Sequence, residues 1–193
     1  YFAAGESGAR RLWKTDGTAA GTVVVKDIDA TSSSSAPVNL TDVNGTLFFA
    51  ARNSANGIEL WKSDGTAAGT VLVKDIRSGT SDSSPTSMAS VGGTLFFAAN
   101  DGLTGIELWK SDGSAAGTVM VKDLSAGFSS GSPGSLVNVN GVLFFSANDG
   151  GASGHYGLWK SDGTAAGTTK LKGFGAAFDS FPRNLTKVNG TLF

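Results

Sequence analysis

The chain has no cysteine and a single histidine. The first absence removes disulfides, thiolate metal sites and cysteine nucleophiles together, and leaves the redox compartment undetermined. The second leaves His155 without another imidazole to share a metal ion. Charge is also scarce: 16% of the 193 residues are Asp, Glu, Lys or Arg, against about 25% in ordinary soluble domains. Fifteen Lys and Arg and sixteen Asp and Glu give a net charge of -1, with both signs scattered along the chain. No electrostatic footprint for nucleic acid or an anionic membrane results. No apolar run approaches the ~18 residues of a membrane-spanning helix, and no segment shows an apolar period near 3.6, which predicts essentially no helix. Tyr1 is preceded by neither an initiator Met nor a signal-like segment, so the sequence reads as an excerpt of something longer.

Glycine and repetition are what the chain has in excess. It holds 28 glycines, twice the usual share of roughly 7%. The stretch ELWKSDGTAAGTVLVKDI at 59–76 recurs as RLWKTDGTAAGTVVVKDI at 11–28, ELWKSDGSAAGTVMVKDL at 107–124 and GLWKSDGTAAGTTKLKGF at 157–174. Trp13, Trp61, Trp109 and Trp159 are spaced by 48, 48 and 50 residues, and the four prolines, Pro37, Pro85, Pro133 and Pro182, by 48, 48 and 49. A period of this size belongs to repeat architectures such as propeller blades. The expected organisation is a single repeat domain of units 1–37, 38–85, 86–133 and 134–182, with 183–193 starting or completing a further one.

Each unit carries the punctuation of a four-stranded meander. In the third, SMASV (87–91) passes through Gly92-Gly93 into TLFFAA (94–99), where sister units place Asn44-Gly45, Asn140-Gly141 and Asn189-Gly190. These pairs tolerate the positive φ angles of a two-residue type I′ hairpin. NDG (100–102) marks the next turn, GIELWKS (105–111) the third strand, DGSAAG (112–117) a longer loop and TVMVKDL (118–124) the fourth strand, rich in β-branched residues. A Ser- and Gly-rich linker, 125–134, leads onward.

The faces of these strands predict how the units pack. Leu95 and Phe97 point one way and Phe96 and Ala98 the other; Ile106 and Leu108 oppose Trp109; Val119 and Val121 oppose Met120. A small sheet apolar on both faces needs a cover on each, and identical sheets stacked face to face supply it. The expected fold is therefore all-β, a β-propeller-like array of four-stranded antiparallel blades, with Trp13, Trp61, Trp109, Trp159, Phe48, Phe96 and Phe144 as its repeated core. The ends align within one strand: Tyr1-Phe2-Ala3-Ala4 matches Phe48-Phe49-Ala50-Ala51, and Phe193 matches Phe48. That leaves two arrangements, a self-contained ring of four blades or an arc of a larger ring or multi-chain assembly.

The string ELWKSDGTAAGT at 59–70 resembles the signature of the ELWxxDGT repeat family of bacterial proteins, and the resemblance covers all four repeats. It implies a propeller-like architecture and a secreted or cell-surface setting, and no reaction. Arg11 and Gly157 depart from the Glu of Glu59 and Glu107, and TTKLKGF (168–174) lacks the acid present as Asp27, Asp75 and Asp123.

Candidate chemistries are few. GFSSG (127–131) matches the G-x-S-x-G nucleophile elbow, but Ser129 lies in a linker without the following helix that the elbow requires. Asp16, Asp64, Asp112 and Asp162 of the DGT and DGS loops form the most regular acidic feature; they suit either a Ca²⁺ or ligand site or plain Asp-Gly turn chemistry, and the second is favoured because one carboxylate per loop is few for calcium. Neither a metal nor a cofactor is expected. The N-x-T sequons at Asn39, Asn44, Asn184 and Asn189 belong in part to hairpin turns, and the only glutamates, Glu6, Glu59 and Glu107, do not assemble a paired-carboxylate site. Repetition supplies several similar weak sites where catalysis wants one asymmetric cluster. The expected function is a non-enzymatic, extracellular or cell-surface scaffold for structural or adhesive interaction, its partners other copies of itself, neighbouring repeats of a longer chain, or cell-surface glycans or proteins. The alternative is a multivalent carbohydrate-binding lectin with equivalent sites between blades.

Overall fold

The computed structural model describes residues 1–6, 9–29, 36–151, 156–174 and 181–193. Strands and turns account for all regular structure among them, with no helix. Sheet 1 has three strands, β1 (Phe2–Glu6), β2 (Ala9–Lys14) and β3 (Val23–Lys26). Sheet 2 contains β4 (Val38–Val43), β5 (Thr46–Asn53), β6 (Gly57–Ser63) and β7 (Val71–Lys74). Sheet 3 contains β8 (Thr86–Val91), β9 (Thr94–Asn100), β10 (Ile106–Ser111) and β11 (Val119–Lys122). Sheet 4 contains β12 (Gly134–Val139), β13 (Val142–Asn148), β14 (Tyr156–Ser161) and β15 (Thr169–Gly173), and a last hairpin joins β16 (Lys187–Val188) to β17 (Thr191–Leu192). Every pairing is antiparallel between sequence neighbours.

The hairpins turn where the Asn-Gly and Gly-Gly pairs stand. Asn44 and Gly45 have φ of 51° and 83°, Gly92 and Gly93 57° and 81°, and Asn140 and Gly141 54° and 86°, the two positive angles of a type I′ turn. The sequence did not announce the bulges, one in sheet 1 and two in each of sheets 2, 3 and 4. One lies between the third and fourth strands, at Leu12/Trp13, Leu60/Trp61, Leu108/Trp109 and Leu158/Trp159. The other falls in the first strand, where Asn39, Ser87 and Ser135 take φ near 51–56°. Short polar side chains that tolerate left-handed backbone mark these kinks, so the Asn39 sequon sits on a bulge.

The chain divides into two compact units, Tyr1–Pro85 and Thr86–Phe193. Within the first, Leu12 and Val25 of sheet 1 pack with Leu47, Phe49, Ala51 and Trp61 of sheet 2. Within the second, Phe96, Leu108 and Val121 of sheet 3 pack with Leu143, Phe145, Ala147 and Trp159 of sheet 4. The same stations meet in both. Within each unit the earlier sheet thus presents a trailing face that includes Leu and Val of its third and fourth strands, and the later sheet a leading face of Leu, Phe, Ala and Trp. Trp61, Trp109 and Trp159 are each 6% exposed, whereas Trp13 and Phe144 are only half-buried. Not every apolar strand residue is interior, since Val71, Ile106 and Val119 are exposed at strand starts.

Candidate functional site

The most regular polar construction is the loop between the third and fourth strands of each repeat. In sheet 2, Asp64 Oδ1 accepts the Thr66 N–H and the Thr66 hydroxyl, both at 2.8 Å. Thr66 Oγ1 in turn accepts the Gly69 N–H at 2.9 Å, and the Thr70 hydroxyl donates to Thr66 O at 2.6 Å. The Thr70 hydrogen is thereby committed, so Ser63 donates across their 2.7 Å contact while accepting the Gly65 N–H at 3.0 Å. Every hydroxyl in the loop has one donor and one acceptor role. The pattern recurs around Asp16 with Thr18, Asp112 with Ser114 and Asp162 with Thr164.

This geometry explains the letters of the motif. The carboxylate folds over the glycine five residues on, so that a Cβ at Gly21, Gly69, Gly117 or Gly167 would lie only 2.0–2.2 Å from an atom of Asp16, Asp64, Asp112 or Asp162. Only glycine fits there. The Thr18 and Thr66 hydroxyls hold the Asp16 and Asp64 carboxyls below their ordinary value, and the Thr164 N–H and hydroxyl do the same for Asp162. In every repeat one Oδ1 is thus spent inside its own loop, the arrangement of an Asx turn. Among the described residues, no group of three or more His, Cys, Asp or Glu is placed to hold a metal ion.

The loops also receive the neighbouring sheet. Within the first unit, Lys14 Nζ donates to Gly65 O at 2.8 Å and Lys26 Nζ to Thr70 O at 2.7 Å. Within the second, Lys110 Nζ reaches Gly163 O and Lys122 Nζ reaches Thr168 O, both at 2.8 Å. An aromatic side chain joins each pair of lysines: the Tyr1 hydroxyl lies 2.4 Å from the position of a Cβ on Gly65, and the Phe96 ring 3.1 Å from that on Gly163. The first glycine of DGTAAG is therefore a socket for an aromatic side chain from the preceding sheet.

Sequence reasoning set the glutamates aside, and the structure gives two of them a position of consequence. Glu59 and Glu107 are fully buried. Glu59 accepts N–H bonds from Ile76 at 2.9 Å, Ser83 at 3.0 Å and Arg77 at 3.4 Å, and the Ser83 hydroxyl at 2.6 Å. Glu107 accepts the Leu124 and Gly131 N–H groups, each at 2.7 Å. Each carboxylate thus staples the linker that follows its sheet back onto the third strand. Burial pushes both up to about 7, against the pull of these hydrogen bonds. Where the glutamate is missing, other contacts take its station: Arg11 Nε donates to Asp27 Oδ2 at 2.8 Å, and beside Gly157 the Lys170 side chain fills the space and donates to Asp149 at 2.7 Å. The clue in the sequence was a carboxylate inside an otherwise apolar strand, GIELW, which has to find donors to be buried.

The remaining candidates separate. Ser129 is exposed in the linker between β11 and β12, with no helix after it. His155 lies outside the described residues. Asn44 and Asn189 stand in hairpin turns, and Asn39 and Asn184 take φ of 56° and 54°.

No protein-family model matches the chain, and no curated protein matches its sequence. Among solved structures, an α-L-arabinofuranosidase from Clostridium thermocellum ATCC 27405 aligns over 98% of this chain and 78% of its own, at 13% identity and a TM-score of 0.37. A likeness that distant carries no argument about this chain.

Proposed function

We propose that this chain is a non-enzymatic, extracellular or cell-surface repeat module of the ELWxxDGT kind, a β-propeller-like array whose blades serve as a structural and adhesive scaffold. The observation that carries the reading is the reuse of one polar loop at four stations, each with its carboxylate and hydroxyls consumed in holding itself, and those of sheets 2 and 4 also receiving the sheet before. Such a loop is a joint. The buried Glu59 and Glu107 support the same reading, because their oxygens accept backbone and hydroxyl donors of the linkers, where a catalytic acid or base needs a face open to substrate. The propeller-like arrangement rests on the twofold occurrence of one trailing-to-leading contact between successive sheets. The secreted setting rests on the family resemblance alone.

A glycan array together with a panel of chromogenic glycosides tests the proposal. The scaffold reading expects neither saturable binding nor turnover. Saturable binding of one sugar class would replace it with the lectin reading, and turnover would end it.

A further inference from the structure

Asp or Asn stands directly before Gly ten times in the chain. Such pairs are chemically labile: the glycine nitrogen, unhindered by a Cβ, can attack the side-chain Cγ before it and close a five-membered succinimide. The attack needs that nitrogen free, and almost every one is tied to a side-chain oxygen. In the DGT and DGS loops the glycine N–H donates to the hydroxyl two residues before it, Gly17 to Thr15, Gly65 to Ser63, Gly113 to Ser111 and Gly163 to Ser161, each at 3.0 Å. In the turns after β9 and β13, Gly102 donates to Asn100 Oδ1 at 2.7 Å and Gly150 to Asn148 Oδ1 at 2.8 Å. In the hairpins, Gly45 donates to Asp42 Oδ1 and Gly141 to Asn138 Oδ1, both at 2.9 Å. Gly57 is buried opposite Asn53 in the ladder of sheet 2, and the Asn56 amide before it donates to Asp75 at 3.1 Å. The tenth pair differs. Asn189 and Gly190 have φ of 48° and 79°, the same type I′ turn as the other two Asn-Gly hairpins, and Asn189, like Asn44 and Asn140, is exposed. Lys187, however, stands at the station of Asp42 and Asn138, and an ammonium group has no lone pair to offer. Among the described residues no acceptor meets the Gly190 N–H.

We propose that Asn189 is a site of spontaneous modification, deamidating through a succinimide closed by Gly190, and that the side-chain acceptors set before the other Asx-Gly pairs guard them against the same reaction. Water is the one co-reactant. Hydroxide takes the Gly190 N–H proton, the nitrogen bonds to Asn189 Cγ, and the Cγ–Nδ2 bond breaks; Nδ2 leaves as ammonia with a proton from water, which restores the hydroxide. A second water opens the ring at one carbonyl or the other, leaving aspartate or isoaspartate, so the net change is hydrolysis of one amide to a carboxylate and ammonium. The backbone angles of the three Asn-Gly turns match, which leaves the hydrogen bond on the attacking nitrogen as the difference between them. The same reasoning accounts for a letter of the repeat, since a hydroxyl residue, Thr15, Ser63, Ser111 or Ser161, precedes the Asp-Gly of every loop. Isoaspartate adds a methylene to the main chain of a two-residue turn, so the β16–β17 hairpin, and with it the 3.0 Å bond from Asn140 Nδ2 to Gly190 O, loosens as the protein ages.

Peptide mapping by mass spectrometry during incubation at mildly alkaline pH, below the melting temperature, tests this. Aspartate and isoaspartate are expected to accumulate at position 189 at least about tenfold faster than at 44 and 140, the rate equivalent of the hydrogen bond that Gly45 and Gly141 must first give up. Two surface variants, their folding checked by circular dichroism, move the acceptor. Lys187→Asp supplies one to Gly190 and should slow Asn189 to the rate of Asn44; Asp42→Lys removes one from Gly45 and should bring Asn44 to the rate of Asn189. In concentrated urea, where the turns are gone, all three asparagines should react alike. Equal rates in the folded wild type, variants that leave the rates where they were, or a preference for Asn189 that persists in urea would overturn the proposal.

Discussion

At the scale of single residues, the buried glutamates give the chain a pH dependence. The folded value of Glu59 and Glu107, about 7, lies above the ordinary 4.5, so their linkage favours the folded state fully below pH 4.5 and is lost as pH rises through 7. Asp16, Asp64 and Asp162, held below 3.8, act in the opposite sense and only in acid. The melting temperature is therefore expected to fall between about pH 5 and about pH 8, and the double substitution Glu59→Gln, Glu107→Gln to flatten that fall in calorimetry; an unchanged slope would show that these carboxyls are not its source. Glu59→Ala, which strands the Ile76 and Ser83 donors, is expected to cost about 1–3 kcal/mol in urea unfolding. Gly69→Ala should cost a similar ~1–3 kcal/mol, because its Cβ would collide with the Asp64 carboxylate at 2.2 Å. Chelation is expected to leave melting unchanged, and a rise of several degrees with Ca²⁺ would instead make Asp16, Asp64, Asp112 and Asp162 ligands.

At the scale of elements, the hairpins were plain in the sequence because Asn-Gly and Gly-Gly state their backbone angles directly. The apolar pattern likewise marked β5, β9 and β13. The bulges at Leu60/Trp61 and its sisters were not legible, since an extra residue on one strand leaves the composition of the pair unchanged. Nor were the roles of Lys14, Lys26, Lys110 and Lys122: a lysine after Trp13 or Trp109, or after Val25 or Val121, reads as a solvated end, and only the placement of the next sheet's carbonyls gives its ammonium a partner. Glu59 and Glu107 were visible as polar residues in an apolar strand, but their donors stand 17 to 24 residues away, beyond the reach of any local pattern. Equivalent substitutions should therefore differ by station. Phe96→Ala is expected to cost about 3–5 kcal/mol, and Phe144→Ala under about 1.5 kcal/mol because its ring is only half-buried; equal losses in denaturant titrations would contradict that distinction.

At the scale of the whole molecule, repetition uses one packing solution again in each of the two compact units. Each sheet is too small to hide both of its apolar faces, and the DGT loops of sheets 2 and 4 give the preceding sheet a fixed place to land, with an aromatic side chain on the glycine and two ammonium groups on the carbonyls. Stability then accumulates by nearest neighbours within each unit. The most direct measurement of this account is acrylamide quenching of single-tryptophan variants, with the other three tryptophans replaced by phenylalanine. Trp159, packed against Leu108 and Val121 of sheet 3, should be shielded, and the half-buried Trp13 quenched several-fold more readily. Quenching of Trp159 as efficient as that of free tryptophan would contradict the packing of sheet 4 on sheet 3.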